Sequence, residues 1–317
     1  MQSRGFEARE FEWTPSLAPG PAGDWGNYVR AAAQAVGERW GVRSGIDAEV
    51  ESDLPPAAGL SSSSALLTGF ALALLKANSI EPTFPELMEM LPEAEHFVGT
   101  RGGGMDHAAV LAAEKGSALL VRFNPVGVES VAIPRDWVFL AAHSLVLAEK
   151  SGAVREAYNA RRRAGNHALE KMGFDSYRNA VDAGVEPRGL DAEEERAYLH
   201  VTGEARRVQA CASALRSGNA EAFGRALNES HDSLRDLLQV SCPELDRVVE
   251  IAREAGAIGA RLTGAGFGGF AVIAGWRRDR ERIGHELIRR YYSARNGFDP
   301  DTHLIAVEPS AGALHGE

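Results

Sequence analysis

The sequence predicts an α+β protein that folds as two domains. Three observations support this prediction: the chain has 317 residues, both helical and strand periodicities occur along it, and long helical segments dominate only its second half. A chain of this length is usually divided, because single hydrophobic cores stop growing beyond about 250–300 residues. We expect the two domains to span residues 1–145 and 146–317.

Composition and charge exclude several classes of protein. Hydrophobic residues make up 44% of the chain and charged residues 25%, as in ordinary globular proteins. The 34 Lys and Arg residues against 44 Asp and Glu residues give a net charge of −10, which repels a phosphate backbone, so we expect no nucleic-acid partner. Two cysteines, Cys211 and Cys242, are too few for a disulfide framework, and we expect a reducing, cytoplasmic location. The most apolar run, residues 65–75, is shorter than the roughly 20 residues that span a bilayer, so we expect no membrane partner.

The elements of the first half follow from apolar spacing. Residues 6–13 alternate apolar and charged side chains, which predicts an exposed strand. Apolar residues at Leu66, Leu67, Phe70 and Leu74 recur with the period of a helix that is buried along one side. The patterns predict helices at 25–40, 62–77, 82–97 and 108–113, and strands at 46–51, 118–123 and 137–142.

Long helices characterise the second half. Ser241 and Glu244 fit a capping box, and Pro243 between them suits the first turn of a helix that runs to about residue 255. The remaining patterns predict helices at 154–172, 193–216, 220–238 and 282–294, and strands at 270–276 and 303–307.

Residues 55–64 read Pro-Pro-Ala-Ala-Gly-Leu-Ser-Ser-Ser-Ser and lead directly into an apolar helix. The start of a helix presents unpaired backbone N–H groups and the positive end of the helix dipole, so this segment predicts an anion or phosphate site. The serine hydroxyls could add hydrogen bonds or coordinate Mg²⁺. A serine N-cap preceded by a flexible linker is the alternative interpretation.

A second glycine-rich segment occupies residues 261–270. Gly264, Gly266 and Gly269 match the dinucleotide-binding pattern G-x-G-x-x-G. That site needs a strand before the glycines and a helix after them, whereas here a helix is predicted before and a strand after, so we expect no dinucleotide. Two interpretations remain: a turn that needs positive φ, or a backbone surface pressed against a ligand phosphate.

Asp106 directly follows three glycines at the start of a predicted helix. It could be an N-cap, or a carboxylate that orients a hydroxyl for attack on a phosphoryl group. Glu93 and Glu95 precede this loop and could form a solvated acidic face or supply a metal ligand. His107 and His231 have no metal-ligand spacing, and we interpret them as polar surface or hydrogen-bonded residues.

Taken together, these segments resemble the GHMP small-molecule kinases, and specifically their galactokinase branch. Residues 55–64 resemble the family's serine-rich phosphate loop. Residues 99–106 resemble its G-x-M-D segment, with His107 where glutamine is usual, and residues 261–270 resemble its third motif. Further similar stretches follow in the expected order, so the resemblance covers residues 25–312; they are 25–29, 157–162, 200–204, 229–235 and 241–246.

The resemblance implies an N-terminal domain like the second domain of ribosomal protein S5, here shortened, a ferredoxin-like C-terminal domain, and a site in the cleft between them. It implies ATP and Mg²⁺ as cofactors, with Ser63 and Glu95 on the metal. Asp106 would be the catalytic base, and Gly104, Asp106 and Tyr158 would bind the sugar. The residues implied to contact the ATP phosphates are Gly59, Leu60, Ser61, Ser62, Ser63, Ser64, Gly264, Ala265 and Gly266.

One departure from the family pattern affects the expected function. The family's first motif, an arginine followed by G-E-H-x-D-Y, is not matched, and neither Arg4 nor Arg9 lies in such a context. The chain is therefore either a truncated version of a longer kinase or a divergent member with altered substrate or lost activity. We expect an ATP-dependent kinase acting on the anomeric hydroxyl of galactose or a related sugar. The alternatives are an impaired sensor that binds ATP or sugar, and a GHMP kinase for another small alcohol.

Overall fold

The structure is a computed structural model, and it describes residues 1–21, 23–54, 60–99, 103–147 and 153–315. The chain divides into two compact units. The first comprises Met1–Val131 with Pro309–Glu317, and the second comprises Ala132–Glu308. Both helices and strands occur in each unit, which confirms the predicted α+β class.

The first unit is mainly helical. A two-stranded parallel sheet joins β1 and β2, and a separate two-stranded sheet joins β3 and β4. The elements are β1 (Gln2–Ser3), α1 (Gly26–Trp40), β2 (Glu49–Val50), α2 (Ser62–Ala77), α3 (Phe84–Ala94), a 3₁₀ helix (Glu95–Val98), α4 (Met105–Ala112), β3 (Ser117–Arg122) and β4 (Gly127–Ala132).

Helix α2 lies at the centre of the first core. Leu67, Phe70 and Leu74 on one side of α2 are buried, as the helical spacing predicts. They belong to the same apolar cluster as Val29 and Val36 of α1. This packing fixes α2 in the first unit and thereby positions the serines at its start.

The predicted strand at 6–13 is wrong. Residues 7–13 form no strand, and only an isolated bridge joins Ser3 and Phe6. Phe11 and Trp13 instead pack against the core of the first unit. Alternation of apolar and charged residues therefore reflects one-sided packing of an irregular segment here, without a hydrogen-bonded neighbour.

The second unit contains an antiparallel sheet and seven helices among its described residues. They are β5 (Trp137–His143), α5 (Ala153–Lys171), α6 (Tyr177–Ala183), α7 (Ala192–Ser217), α8 (Ala220–Asp236), α9 (Pro243–Glu254), β6 (Gly259–Leu262), β7 (Phe270–Trp276), α10 (Arg280–Arg290), α11 (Pro300–His303) and β8 (Leu304–Val307), with 3₁₀ turns at Arg277–Asp279 and Tyr292–Ala294.

The four strands lie in the order β6-β7-β5-β8, and every neighbouring pair is antiparallel. Because side chains alternate along a strand, each face of β5 packs against different helices. Leu140 shares a cluster with Val248 of α9 and Leu287 of α10. Trp137 packs on Phe223 of α8, with ring centroids 5.1 Å apart. The sheet is thus covered on both faces.

The boundary between the units lies before β5, between Val131 and Ala132, whereas we expected it at 145/146. The physical reason is the pairing of β5. Trp137 lies opposite Trp276 of β7, and Phe139 lies opposite Val307 of β8, so β5 is a central strand of the second sheet.

The predicted capping box at the start of α9 is wrong. The N-cap is Cys242, which makes no side-chain capping hydrogen bond, and Pro243 occupies the first turn. Ser241 instead donates from Oγ to Oδ1 of Asp246 at 2.5 Å. Proline in the first turn begins this helix without help from the serine hydroxyl.

Residues 309–314 return to the first unit and hydrogen-bond beside α4. The Gly312 N–H donates to the Ala113 carbonyl at 2.7 Å, and the Leu314 N–H donates to the Leu111 carbonyl at 2.9 Å. The Gly116 N–H in turn donates to the Pro309 carbonyl at 3.1 Å. The end of α4 is therefore held by a segment nearly two hundred residues further along the chain.

Candidate active site

The serine turn, residues 61–64, begins α2 in the first unit. Ser61 has left-handed backbone angles, φ 58° and ψ 30°, and its hydroxyl makes no capping hydrogen bond within the described chain. The first-turn N–H groups have no acceptor inside the helix, and no acidic residue lies in that turn. The geometry favours an anion at this end and does not support a side-chain serine cap. Gly59, expected to contact phosphate, lies outside the described residues.

Ser64 is tied to Glu95, which begins the 3₁₀ helix. The Ser64 Oγ donates to Glu95 Oε1 at 2.6 Å, and each residue is only 3% exposed. Glu95 therefore does not lie on a solvated acidic face. Glu93, by contrast, is exposed and pairs with His96 at 3.0 Å. The two glutamates thus have different surroundings, which their spacing in the sequence could not reveal.

Ser63 and Tyr28 lie beside this pair. Burial and the negative charge of Glu95 raise the pKa of Tyr28, while a hydrogen bond with Ser63 acts in the opposite direction. Ser63, expected to share a metal with Glu95, thus interacts with Tyr28, and the direct hydrogen bond to Glu95 comes from Ser64. Sequence reasoning missed Tyr28, because its place in the apolar stripe of α1 gave no sign of a polar contact.

Helix α4 carries Asp106. Its N-cap is Gly104, with φ 81°, and a Cβ there would lie 3.0 Å from the Pro92 side chain and 3.3 Å from that of Met88. Only glycine fits both the backbone conformation and the space. Asp106 lies in the first turn of α4, half-buried, so it is not the N-cap.

His107 follows Asp106 and connects α4 with Glu95. Its ring is 1% exposed, and Nε2 lies 3.7 Å from Glu95 Oε1. Burial lowers the pKa of His107, so the ring is neutral near pH 7. Neither ring nitrogen has a hydrogen-bond partner among the described residues. The interpretation of His107 as a polar surface residue is therefore wrong.

The glycine loop, residues 263–269, joins β6 to β7 in the second unit. Gly264, Gly266, Phe267, Gly268 and Gly269 all have positive φ, between 60° and 140°. A strand that sequence reasoning missed, β6, precedes the loop, and a strand follows it. The helix that a dinucleotide-binding loop places after its glycines is therefore replaced here by a strand. It presents a compact surface of backbone.

Gly266 makes a close approach that excludes any side chain. A Cβ on Gly266 would lie 2.1 Å from the Val240 carbonyl oxygen. The neighbouring Phe267 N–H donates to the same oxygen at 2.7 Å. The middle of the glycine loop is thereby fixed against the segment between α8 and α9.

A charged cluster supports the strand that enters this loop. Glu204 of α7 accepts hydrogen bonds from Arg261 at 2.8 Å, Arg207 at 2.8 Å and Ser230 at 2.6 Å. Burial alone would raise the pKa of Glu204, but Arg261 and the hydrogen bonds from Ser230 and Arg207 lower it overall. Sequence analysis missed this cluster, because its members come from three separate elements.

Three buried histidines, each no more than 6% exposed, lie in the second unit. Burial lowers the pKa of each from 6.5 to about 4, so all three are neutral at pH 7. They are His143, His200 and His231. The N–H of Leu262 donates to Nδ1 of His231 at 3.2 Å, so His231 is hydrogen-bonded as expected, although it is not on the surface.

Tyr158, expected to bind sugar, lies on α5 in the second unit and is 37% exposed. Among the described residues, no group of three or more His, Cys, Asp or Glu side chains is arranged to hold a metal. No helix in the same part of the chain is long and apolar enough to cross a membrane.

Comparison with known protein families finds a matching family model in each unit. The description "GHMP kinases N terminal domain" matches residues 27–114, and "GHMP kinases C terminal" matches residues 211–294. The chain belongs to the GHMP kinase family. The two matches include the serine turn, Asp106 and the glycine loop, so each half of the expected site lies within a recognised part of a GHMP kinase.

The relatives of this GHMP kinase include galactokinases. It is 36% identical to galactokinase of Streptomyces coelicolor over 267 residues, which cover 81% of this chain and 68% of that protein. It is 31% identical to galactokinase of Thermococcus kodakarensis over 293 residues, covering 92% and 81% respectively. Its structure is similar to that of Lactococcus lactis galactokinase complexed with galactose, with a TM-score of 0.75 and 24% identity over 91% of this chain and 76% of that one. The chain is a galactokinase-like GHMP kinase, and its two-domain kinase fold is confirmed.

Proposed function

We propose that this GHMP kinase transfers the γ-phosphoryl group of ATP to the anomeric hydroxyl of galactose or a closely related sugar. The observation that carries the proposal is the similarity to galactokinases, at 31–36% identity over most of the chain. Identity at this level, extending through both halves of the expected site, supports a common reaction and a common class of substrate.

The phosphates of ATP are assigned to backbone groups of both units. In the first unit they are Leu60 and the serine turn, together with Gly59. In the second unit they are Gly264, Ala265 and Gly266. A helix N-terminus has unpaired N–H groups, and a glycine-rich loop with positive φ can form a backbone concavity for anions; both can bind phosphate without any side-chain charge.

A magnesium ion fits the oxygen donors of the first unit. Ser63 supplies a hydroxyl and Glu95 a carboxylate, and Mg²⁺ prefers hard oxygen ligands of this kind. Ser64 holds Glu95 by a hydrogen bond of 2.6 Å, which restricts the rotation of the carboxylate. When bound, Mg²⁺ would neutralise negative charge on the phosphates. Ser63 and Glu95 are the residues that we assign to hold it.

Asp106 is assigned to the sugar hydroxyl. Phosphoryl transfer has a loose transition state, so the base mainly orients the hydroxyl and accepts its proton late. A half-buried carboxylate in the first turn of α4, two residues after the Gly104 N-cap, suits that role. Gly104 is assigned to contact the sugar from the start of α4, and Tyr158 is assigned to contact it from the second unit.

The test follows ADP release by the purified protein with Mg²⁺-ATP and a panel of hexoses. We expect galactose or a close relative to raise ADP release above background. Asp106→Asn should reduce turnover by about 10²–10⁴-fold, the usual contribution of a general base. Its affinity for a non-hydrolysable ATP analogue should stay near that of the parent.

Glu93→Gln provides the matched control, since Glu93 is an exposed carboxylate of the same unit whose ion pair among the described residues is with a neighbouring histidine. This variant should turn over like the parent. ATP binding without ADP release in the presence of any sugar would contradict the proposal, and so would an Asp106→Asn protein as fast as the parent. The proposal places the reaction in the cytoplasm, where ATP is supplied and where the two free cysteines stay reduced.

A further inference from the structure

The segment between α8 and α9 contacts both α5 and the glycine loop. We call Leu238, Gln239 and Val240 the 238–240 bridge. On one side, Nε of Arg161 in α5 donates to the Leu238 carbonyl at 3.1 Å. On the other side, the Phe267 N–H of the glycine loop donates to the Val240 carbonyl at 2.7 Å. The bridge thus links the helix that carries Tyr158 with the loop assigned to phosphate.

The 238–240 bridge is held at both ends by α8. The Leu238 N–H donates to the Ser233 carbonyl at 3.1 Å, and the Val240 N–H donates to the Leu234 carbonyl at 3.0 Å. Gln239 between them has φ 56°, and Val240 is 2% exposed. Both ends of the bridge are hydrogen-bonded to α8, and Gln239 in the middle is in a left-handed turn. The carbonyls of Leu238 and Val240 are therefore held at a fixed separation. A shift at Leu238 is therefore passed on to Val240.

The opposite side of the glycine loop is attached to the segment that leads toward α5. The Gly269 N–H donates to the Val146 carbonyl at 2.9 Å, and the Ser144 N–H donates to the Gly269 carbonyl at 2.8 Å. The loop is thus fixed between two backbone segments, and Arg161 connects one of them with α5.

Arg161 lies on the same side of α5 as Tyr158, because residues three apart are neighbours on a helix surface. Its second contact, from Nη1 to Glu193 at 3.2 Å, involves a carboxylate that is 48% exposed. Exposed ion pairs of this kind contribute little. The hydrogen bond from a charged donor to the Leu238 carbonyl is therefore the contact through which Arg161 orders its surroundings.

We propose that Arg161 is a positioning residue, which couples the sugar-facing helix α5 to the glycine loop through the 238–240 bridge. Order imposed on α5 by a sugar at Tyr158 then favours the loop conformation that binds phosphate, and the reverse holds by linkage. The two ligands named here rest on the proposed function. The coupling between α5 and the loop rests only on the hydrogen bonds within the second unit.

The experiment compares Arg161→Met, Arg161→Lys and the control Arg163→Met. Arg163 lies on the same helix, is 55% exposed and pairs only with Glu156 in the described contacts. Methionine keeps the length of the side chain but removes the donor, whereas lysine keeps a charged donor. Hydrogen exchange of peptides spanning residues 263–270 reports order in the glycine loop without any ligand, and kinetics with Mg²⁺-ATP and galactose give KM and kcat separately.

In Arg161→Met we expect exchange at the Phe267 amide to be about tenfold faster and the KM for ATP about tenfold higher, since a lost charged hydrogen bond is enough for at least this factor. The kcat should change less than KM. Arg161→Lys should recover part of both effects, and Arg163→Met should match the parent. A purely structural role would lower stability without this selective change in KM and its recovery by lysine.

Exchange in Arg161→Met equal to that in Arg163→Met would overturn the inference, whatever the kinetics show. If the parent phosphorylates no sugar, the proposed function fails, but the exchange measurement still decides the role of Arg161. If Arg161→Met does not fold, Arg161→Lys is the deciding variant. A folded Arg161→Lys protein with faster loop exchange and a higher KM for ATP than Arg163→Met would support the coupling, and exchange and KM equal to those of Arg163→Met would contradict it.

Discussion

Replacing Gly266 by alanine tests whether the glycine loop depends on its contact with Val240. A Cβ at Gly266 would lie 2.1 Å from the Val240 carbonyl oxygen, whereas ordinary contacts begin at 3.4 Å. Relief of this overlap requires a backbone shift of more than about 1 Å. Such a shift would stretch the 2.7 Å hydrogen bond from Phe267 to Val240 beyond its working range.

The expected cost has two parts. Alanine in the left-handed region, here at φ 81°, costs about 1–2 kcal/mol. Loss of the hydrogen bond leaves the carbonyl of Val240, a residue 2% exposed, without its donor, which costs about 1–3 kcal/mol more. Gly266→Ala should therefore destabilise the second unit by about 2–5 kcal/mol and displace the loop assigned to phosphate.

Gly297→Ala is the matched control. Gly297 also has φ 81°, but a Cβ there would meet nothing within 4 Å, so only the backbone cost of about 1–2 kcal/mol applies. Urea unfolding gives the two free energies, and the KM for ATP reports the loop. We expect Gly266→Ala to show the larger loss of stability and a raised KM. Equal destabilisation of the two variants, with equal KM, would refute the reasoning.

Three further predictions concern buried polar groups. The three buried histidines have pKa values of about 4 in the folded protein, below the value of 6.5 in the unfolded chain. Their contribution to the free energy of unfolding is therefore fully present above pH 6.5 and is lost as the pH falls toward 4, by about 2 kcal/mol each at pH 5. Urea unfolding at pH 7.5 and pH 5 should show this loss, and an equal free energy of unfolding at both pH values would contradict it. Ser64→Ala leaves the buried carboxylate of Glu95 without its hydroxyl donor and should lower the free energy of unfolding by about 1.5–3 kcal/mol. Ser62→Ala should change it little, and equal unfolding free energies of the two variants in urea would contradict this prediction. Glu204→Gln removes the negative charge between Arg261 and Arg207 and should lower the free energy of unfolding by about 2–4 kcal/mol. An unchanged midpoint in urea would show that the charge of Glu204 does not stabilise the fold.

Elements with strong local patterns were predictable from the sequence. The apolar stripe of α2 and the continuous apolar run of β7 gave the observed bounds, Ser62–Ala77 and Phe270–Trp276. Strand β6 was missed because four residues, Gly-Ala-Arg-Leu, carry no period of their own. Its strand conformation comes from pairing with β7, in which Leu262 lies opposite Ala271. Likewise, β5 read correctly as a strand, but nothing local to it revealed which sheet it joins.

In the candidate site, too, features with local requirements were predictable and contacts between distant segments were not. The serine turn was predictable because helix starts have local requirements, and its left-handed Ser61 adds a feature that only the backbone could show. The contact between Ser64 and Glu95 joins residues 31 apart and depends on how α2 packs beside the 3₁₀ helix. Sequence spacing therefore identified the segments of the site but not the partners of individual side chains within it.

The return of residues 309–314 to α4 affects how the protein is made on the ribosome. Most of the first unit emerges early during synthesis, yet the carbonyls of Leu111 and Ala113 accept their hydrogen bonds, among the described residues, from the N–H groups of Leu314 and Gly312. The C-terminal end of the helix that carries Asp106 therefore acquires these hydrogen bonds only after the second unit has been translated. Nascent chains that are stalled before residue 309 should expose this end of α4 to proteases and chaperones.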